Sequence, residues 1–167
     1  MENTITPVAT VITPEALLEH WQGHRKLTRR LIEAFPENEL FHHSIGGMRP
    51  FSDLAVEMIT MGFGVTGLVN NVWPAYGDLP QHNAAAKPGT KEGLLALWDE
   101  VTQLINDTWP NITLDRFQAQ VKAFGQYEGT GTYILLYFID NEIHHRGQGY
   151  VYLRSLGITP PPFWDRQ

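Results

Sequence analysis

An all-α fold, a four-helix bundle with long connections between its helices, is predicted by three observations. Four stretches repeat apolar residues at helical spacing, and most of them open on a capping residue and close on proline or glycine. Two of the segments between them, 36–50 and 74–89, carry proline and read as linker and loop. Four long helices in a chain of 167 residues, short enough for one domain, make a bundle the simplest architecture.

The first helix is announced by Thr13 as N-cap, Pro14 at the first helical position and Glu15 at the positive end of the helix dipole. It runs to about Phe35, before Pro36. Leu17, Leu27, Leu31 and Phe35 form one stripe, with Glu19, Gln22, Lys26, Arg29, Arg30 and Glu33 elsewhere on the wheel. A linker over 36–50, with Gly46 and Gly47, leads to a second helix that Ser52 caps and that runs toward Trp73. Its seam reads Leu54, Glu57, Met61, Gly64, Leu68. Residues 74–89 form a loop.

The third helix starts near Thr90, places Leu94, Trp98, Val101 and Ile105 on one face, and ends by Pro110. Residues 111–131 fit two periods: Phe117, Ala119, Val121 and Ala123 alternate like a strand, whereas Leu114, Phe117, Val121 and Phe124 fit a helix. An extended or irregular connection is expected there. The last helix spans about Thr132 to Leu156 and is stopped by Gly157 and prolines 160–162. The whole of 1–167 reads as one domain, with an N-terminal extension over 1–12 and a C-terminal tail over 158–167.

Composition limits the function. A hydrophobic share of 43% with 11% aromatic residues argues against disorder. A net charge of −6 leaves no basic patch for nucleic acid or an anionic membrane, so neither is an expected partner. With no cysteine, disulfides, thiolate metal sites and a cysteine nucleophile are excluded. The start carries no signal-peptide pattern, and a cytoplasmic location is expected. GxSxG, Walker A and strand-borne GxGxxG motifs do not occur.

The chemistry concentrates on the fourth helix. Steps of four and three connect Ile134, Phe138, Asn141, His145, Gln148 and Tyr152 into one seam, apolar at its ends and polar at its centre. Leu136, Ile139, Ile143 and Tyr150 form a second face almost opposite, which points to a homodimer. A carboxylate in a buried seam, as Glu57 is on the second helix, must be paired, metal-bound or protonated. Asn141 and His145, at i and i+4, can meet it across the bundle. One imidazole, one carboxylate and one amide oxygen make a divalent-metal set with positions left for water, although an amide oxygen is a poor zinc ligand. The same residues, with Gln148, also make a metal-free network that fixes helix register. His144 lies at the edge of the seam, as a pocket rim, surface or interface residue. Glu142 and Arg146 read as a helix-side pair or an interface contact. His20 and His24, again i and i+4, fall in the apolar stripe of the first helix. They line a pocket or offer a rival two-histidine metal site, though Trp21 stands where an HExxH motif needs glutamate.

The runs NEIHHRGQGYVYLRSLGITPPP at 141–162 and GGMRPFSDLAVEMI at 46–59 resemble the DinB family, of the DinB/YfiT-like superfamily of metalloenzymes. The resemblance implies a four-helix bundle with a long crossover, frequent homodimers, and nickel or zinc held by three histidines. One of those histidines comes from the second helix, and two come from an HxxxH on the fourth. Matched position by position, His145 is the last ligand, Asn141 stands at the first His of HxxxH, and Glu57 stands at the helix-two His. Oxygen donors there shift the preference toward harder ions. Relatives in the superfamily are thiol-dependent transferases and isomerases, so a metal-dependent transferase or hydrolase with Glu57 as ligand or general base is one expectation. A non-catalytic, stress-responsive or small-molecule-binding dimer with a metal-free polar pocket is the other.

Overall fold

The structure, a computed structural model, describes residues 11–167. The N-terminal extension assigned to 1–12 lies outside the described residues except for Val11 and Ile12. In helix α1 (Pro14–Ala34) the Thr13 hydroxyl accepts from the Ala16 amide at 3.2 Å, Pro14 opens the helix and Glu15 sits in its first turn. The helix stops where Phe35 turns extended ahead of Pro36. A short helix α2 (Glu37–His42) occupies the linker that the sequence left unstructured.

The expected second helix is two pieces, α3 (Phe51–Phe63) and α4 (Val65–Asn70), joined at Gly64. Pro50, not Ser52, stands at its N-cap, and Ser52 is buried inside the first turn. A methyl group on Gly64 would lie 2.6 Å from the Phe138 ring and 2.9 Å from that of Phe124, so only glycine lets the chain approach these rings. Its amide bonds to Met61 O, three residues back, a tighter turn that separates the two pieces. The second piece ends at Asn71 in the left-handed region (φ 62°), short of Trp73. The stretch Phe51–Asn70 has the length and apolar content of a membrane span, yet 72% of its 18-residue apolar window is buried inside this fold.

Helix α5 (Lys91–Thr108) is capped by Thr90, whose hydroxyl accepts from Gly93 N at 3.1 Å. Residues 111–131 are more ordered than expected. They form α6 (Leu114–Gln118) and an antiparallel hairpin of β1 (Gln120–Ala123) and β2 (Tyr127–Thr130), in the register Val121 to Gly129, so the fold is mostly helical rather than all-α. The alternation at 117–123 is therefore strand from Gln120 onward. Helix α7 (Gly131–Ser155) is capped by Thr130 and closes with a left-handed Gly157 (φ 75°). Gly157 N bonds to Arg154 O and Ile158 N to Leu153 O, the paired bonds of a Schellman close.

The long helices pack as a ring in which α3 touches α5 and α7, and α1 touches the same two helices. The core between them includes Trp21, Leu27, Leu31, Phe51, Ile59, Trp98, Ile105, Phe138 and Leu153, with the Phe35 and Phe51 rings stacked at 4.8 Å. Helix α7 is buried along two adjacent seams. Ile134, Phe138, His145 and Tyr152 lie on the seam read from sequence; Leu135, Ile139, Glu142, Arg146, Gly149 and Leu153 form the other, against α1. The second apolar face expected at Leu136, Ile139, Ile143 and Tyr150 is thus displaced. Of those four only Ile139 is buried, while Leu136 and Ile143 join Tyr133, Tyr137 and Val151 on an exposed side. The tail at 158–167 folds back on α1, where Asp165 Oδ2 accepts from Arg30 at 2.8 Å.

Candidate functional site

Helices α3 and α7 bring Glu57, Asn141, His145 and Gln148 together. Glu57 Oε1 accepts from Asn141 Nδ2 at 3.0 Å and lies 2.9 Å from His145 Nε2. Its Oε2 accepts from the Arg49 guanidinium at 2.6 Å and from Gln81 Nε2 at 3.3 Å. On the far side of the ring, His145 Nδ1 lies 2.7 Å from Gln148 Oε1. Both imidazole nitrogens therefore face oxygen. Burial would raise the Glu57 pKa, but hydrogen bonds from His145, Arg49 and Asn141 outweigh it and bring the carboxyl down to about 2.

Two openings adjoin this cluster. A cleft of about 200 Å³ is lined by Arg49, Asp53, Val56, Gln81, His82 and Lys87. One helical turn along α3 and α7, past Met61 and Phe138, lies a cavity of about 370 Å³ walled mainly by aromatic rings. Tyr76 links the two regions. Burial and a hydrogen bond with Tyr127 push its hydroxyl up to about 12, with the Glu57 charge adding to the shift.

The donor set does not fit the three-imidazole nickel or zinc site that the resemblance implies. Among the described residues no three His, Asp or Glu side chains converge as a metal-binding group. One imidazole is present, the carboxylate is already matched by a guanidinium, and Asn141 turns its NH2 group toward Glu57. A single feature points the other way: Asn141 Oδ1 is buried with no hydrogen-bond partner.

His20 and His24 are together but elsewhere. Their Nε2 atoms lie 3.1 Å apart, and His24 Nε2 lies 3.4 Å from Arg166 of the tail. They share no hydrogen-bond partner with Glu57 or His145, so the two histidines and the Glu57 cluster form two separate sites. His24 is 2% exposed. Burial, then the charges of Arg146, Arg166 and His20, lower its pKa from 6.5 to about 3. His144 is exposed, its ring edge-on to that of His145 at 5.0 Å.

Sequence reasoning missed the most buried charges. Glu142 and Arg146, read as a helix-side or interface pair, are 1% and 6% exposed and face α1. Glu142 accepts from Thr28 Oγ1 at 2.7 Å and Trp21 Nε1 at 3.2 Å, with Arg25 at 3.8 Å and Arg146 at 4.0 Å. Arg25 lies 3.5 Å over the Trp98 ring, and burial lowers its pKa to about 10 despite the charge of Glu142. The available signal was Gly149, one turn from Arg146 and in step with Leu135, Ile139 and Leu153. A methyl group there would meet Phe51 at 2.4 Å, which marks this seam as a close-packed one. Arg49 and Gln81 were also missed; both lie on connections between helices, where periodicity assigns no face.

The fold is shared with solved structures. A DinB-like protein of Bacillus cereus superposes with a TM-score of 0.68 at 18% identity, over 89% of this chain and 95% of that one. A DinB-like protein of Bacillus subtilis, YjoA, gives 0.68 at 21% identity over 89% and 96%. In sequence, the Bacillus subtilis protein described as uncharacterized protein YjoA is 26% identical over 152 residues, 90% of this chain and 96% of that protein. The DinB family model matches residues 1–166, and the chain belongs to the DinB family.

Proposed function

We propose that this DinB-family protein is a four-helix bundle that binds a small molecule over a metal-free polar floor of Glu57, Asn141, His145, Gln148 and Arg49. The observation that carries the reading is the saturation of Glu57 by four side-chain partners. A carboxyl held near 2 is a poor general base at neutral pH, because useful proton transfer needs a pKa near the working pH. It is a strong, fixed acceptor instead. The chain's own residues then bind and orient: Glu57 accepts from a ligand N–H or O–H that displaces Gln81 or Arg49, and Gln148 and Asn141 hold His145 and Glu57 in place.

The second reading is a thiol-dependent transferase or hydrolase with nickel, zinc or a harder divalent ion at Glu57, Asn141 and His145. The partnerless Asn141 Oδ1 favours it. A bound ion would supply Lewis acidity there. Elemental analysis of untagged protein, purified without chelating resin, separates the two. Metal far below one ion per chain is expected, and stoichiometric metal lost in His145→Ala would overturn the metal-free reading. The exposed Leu136, Ile143 and Val151 on α7 support a homodimer, and the net charge of −6 supports a protein that avoids nucleic acid and anionic membranes in a cytoplasmic setting.

A further inference from the structure

The 370 Å³ cavity next to Glu57 has a wall chemistry that the polar floor does not explain. Its rings are Phe124, Tyr127, Tyr133, Tyr137 and Phe138, and Glu128 is the one charged side chain among its lining residues. Tyr127 and Tyr137 are near-parallel, 23° apart in plane, with centroids 6.5 Å apart. Tyr76 stands beside this wall, its ring 5.8 Å from that of Phe124. Phe124 is held at φ 53°, a conformation a bulky residue rarely adopts, and its ring is buried against Phe138 at 6.1 Å. The hairpin turn thus accepts backbone strain to place an aromatic ring at the cavity.

We propose that this aromatic cavity binds an organic cation of the alkylammonium class, held against the rings and drawn by Glu128 of its lining, with the Glu57 carboxylate one helical turn beyond Met61. The proposal rests on the reading of the site as a ligand pocket and names the ligand class. Ring faces carry the negative side of the aromatic quadrupole and attract a positive charge within about 6 Å of a centroid. An anion has no partner, since no lysine or arginine lines the space. Lys122 pairs with Glu128 at 3.1 Å, but both are more than half exposed, so solvent weakens the pair and an incoming ammonium group can replace it. The volume exceeds that of a single quaternary ammonium group and falls within the range of small-molecule pockets.

The test compares choline with 3,3-dimethylbutan-1-ol, a neutral molecule of the same shape, by isothermal titration calorimetry on the full chain. Choline is expected to bind saturably and at least ~10-fold more tightly than the alcohol. Tyr137 is 48% exposed, so its truncation opens no core cavity, and circular dichroism checks the fold. Tyr137→Ala should weaken choline at least ~5-fold while Tyr137→Phe retains it, and Glu128→Gln should weaken choline but not the alcohol. Equal binding of the two probes, no saturation by ~50 mM choline, or an unchanged Tyr137→Ala overturns the inference. Metal content measured on the same samples keeps the two failures apart: stoichiometric metal removes the metal-free floor, whereas loss of cation preference removes only this assignment.

Discussion

Acid should destabilise the protein first through His24, well before its carboxylates are protonated. His24 is 2% exposed, and burial together with Arg146, Arg166 and His20 holds its folded-state pKa at about 3 against 6.5 in the unfolded chain. The folded state therefore keeps the ring neutral, while the unfolded chain takes up a proton below pH 6.5. Stability is fully present above that pH and falls as pH drops through the interval between 6.5 and 3. Each pH unit inside the interval costs ~1.4 kcal/mol, so acidification from pH 7.5 to 5.0 removes about 2 kcal/mol. Glu57 titrates in a different window: its depressed pKa removes stability only between 4.5 and about 2. Urea unfolding followed by tryptophan fluorescence at several pH values from 7.5 to 5.0 measures the loss. His24→Gln, less stable at neutral pH, should lose much less over the same range. Contributions from histidines remote from His24 are common to both proteins and cancel, and His20→Gln, made in both backgrounds, accounts for the one imidazole in direct contact with it. Equal pH slopes for the two, or a wild-type stability that does not fall by pH 5.0, would refute the reasoning.

Glu142→Ala should cost ~3–5 kcal/mol in urea unfolding, because it leaves the buried guanidiniums of Arg25 and Arg146 without their shared carboxylate. A cost below ~1 kcal/mol would mean that the two arginines are compensated elsewhere. Gly64→Ala should cost ~1–3 kcal/mol, since its methyl group meets two rings closer than 3.0 Å. A thermal midpoint unchanged from wild type would show that Phe138 and Phe124 shift freely.

The three long helices α1, α5 and α7 were legible because their boundaries are local chemistry. Thr13 and Thr90 cap through their own hydroxyls, and Gly157 supplies the left-handed residue that ends α7. The break at Gly64 was not legible, because its cause is remote: the rings of Phe124 and Phe138 come from distant parts of the chain. The hairpin failed for a related reason. Its two strands are of the shortest kind, and Phe124 and Gly125 together at positive φ give a turn that sequence signals assign to Asn-Gly or Asp-Gly.

The candidate site was legible in part, and the limit lies in the geometry of α7. A helix buried against two neighbours has two seams one residue apart, here the one through Asn141 and His145 and the one through Glu142 and Arg146. Adjacent residues project about 100° apart, so periodicity finds both seams but cannot say which neighbour each meets. An i,i+4 Glu–Arg pair reads as solvent-exposed on any isolated helix. Only the partners on α1 reverse that reading: Trp21, Thr28 and Arg25 occupy the carboxylate that water would otherwise solvate. The consequence is a division of charge across one helix. Toward α3 a carboxylate collects donors one helical turn from the aromatic cavity; toward α1 burial, together with arginines that outnumber the carboxylate, holds His24 neutral. A cationic ligand belongs on the first side, and protonation acts on the second, so changes to His24 should leave cation binding intact while changes to Tyr137 leave the acid response unaltered.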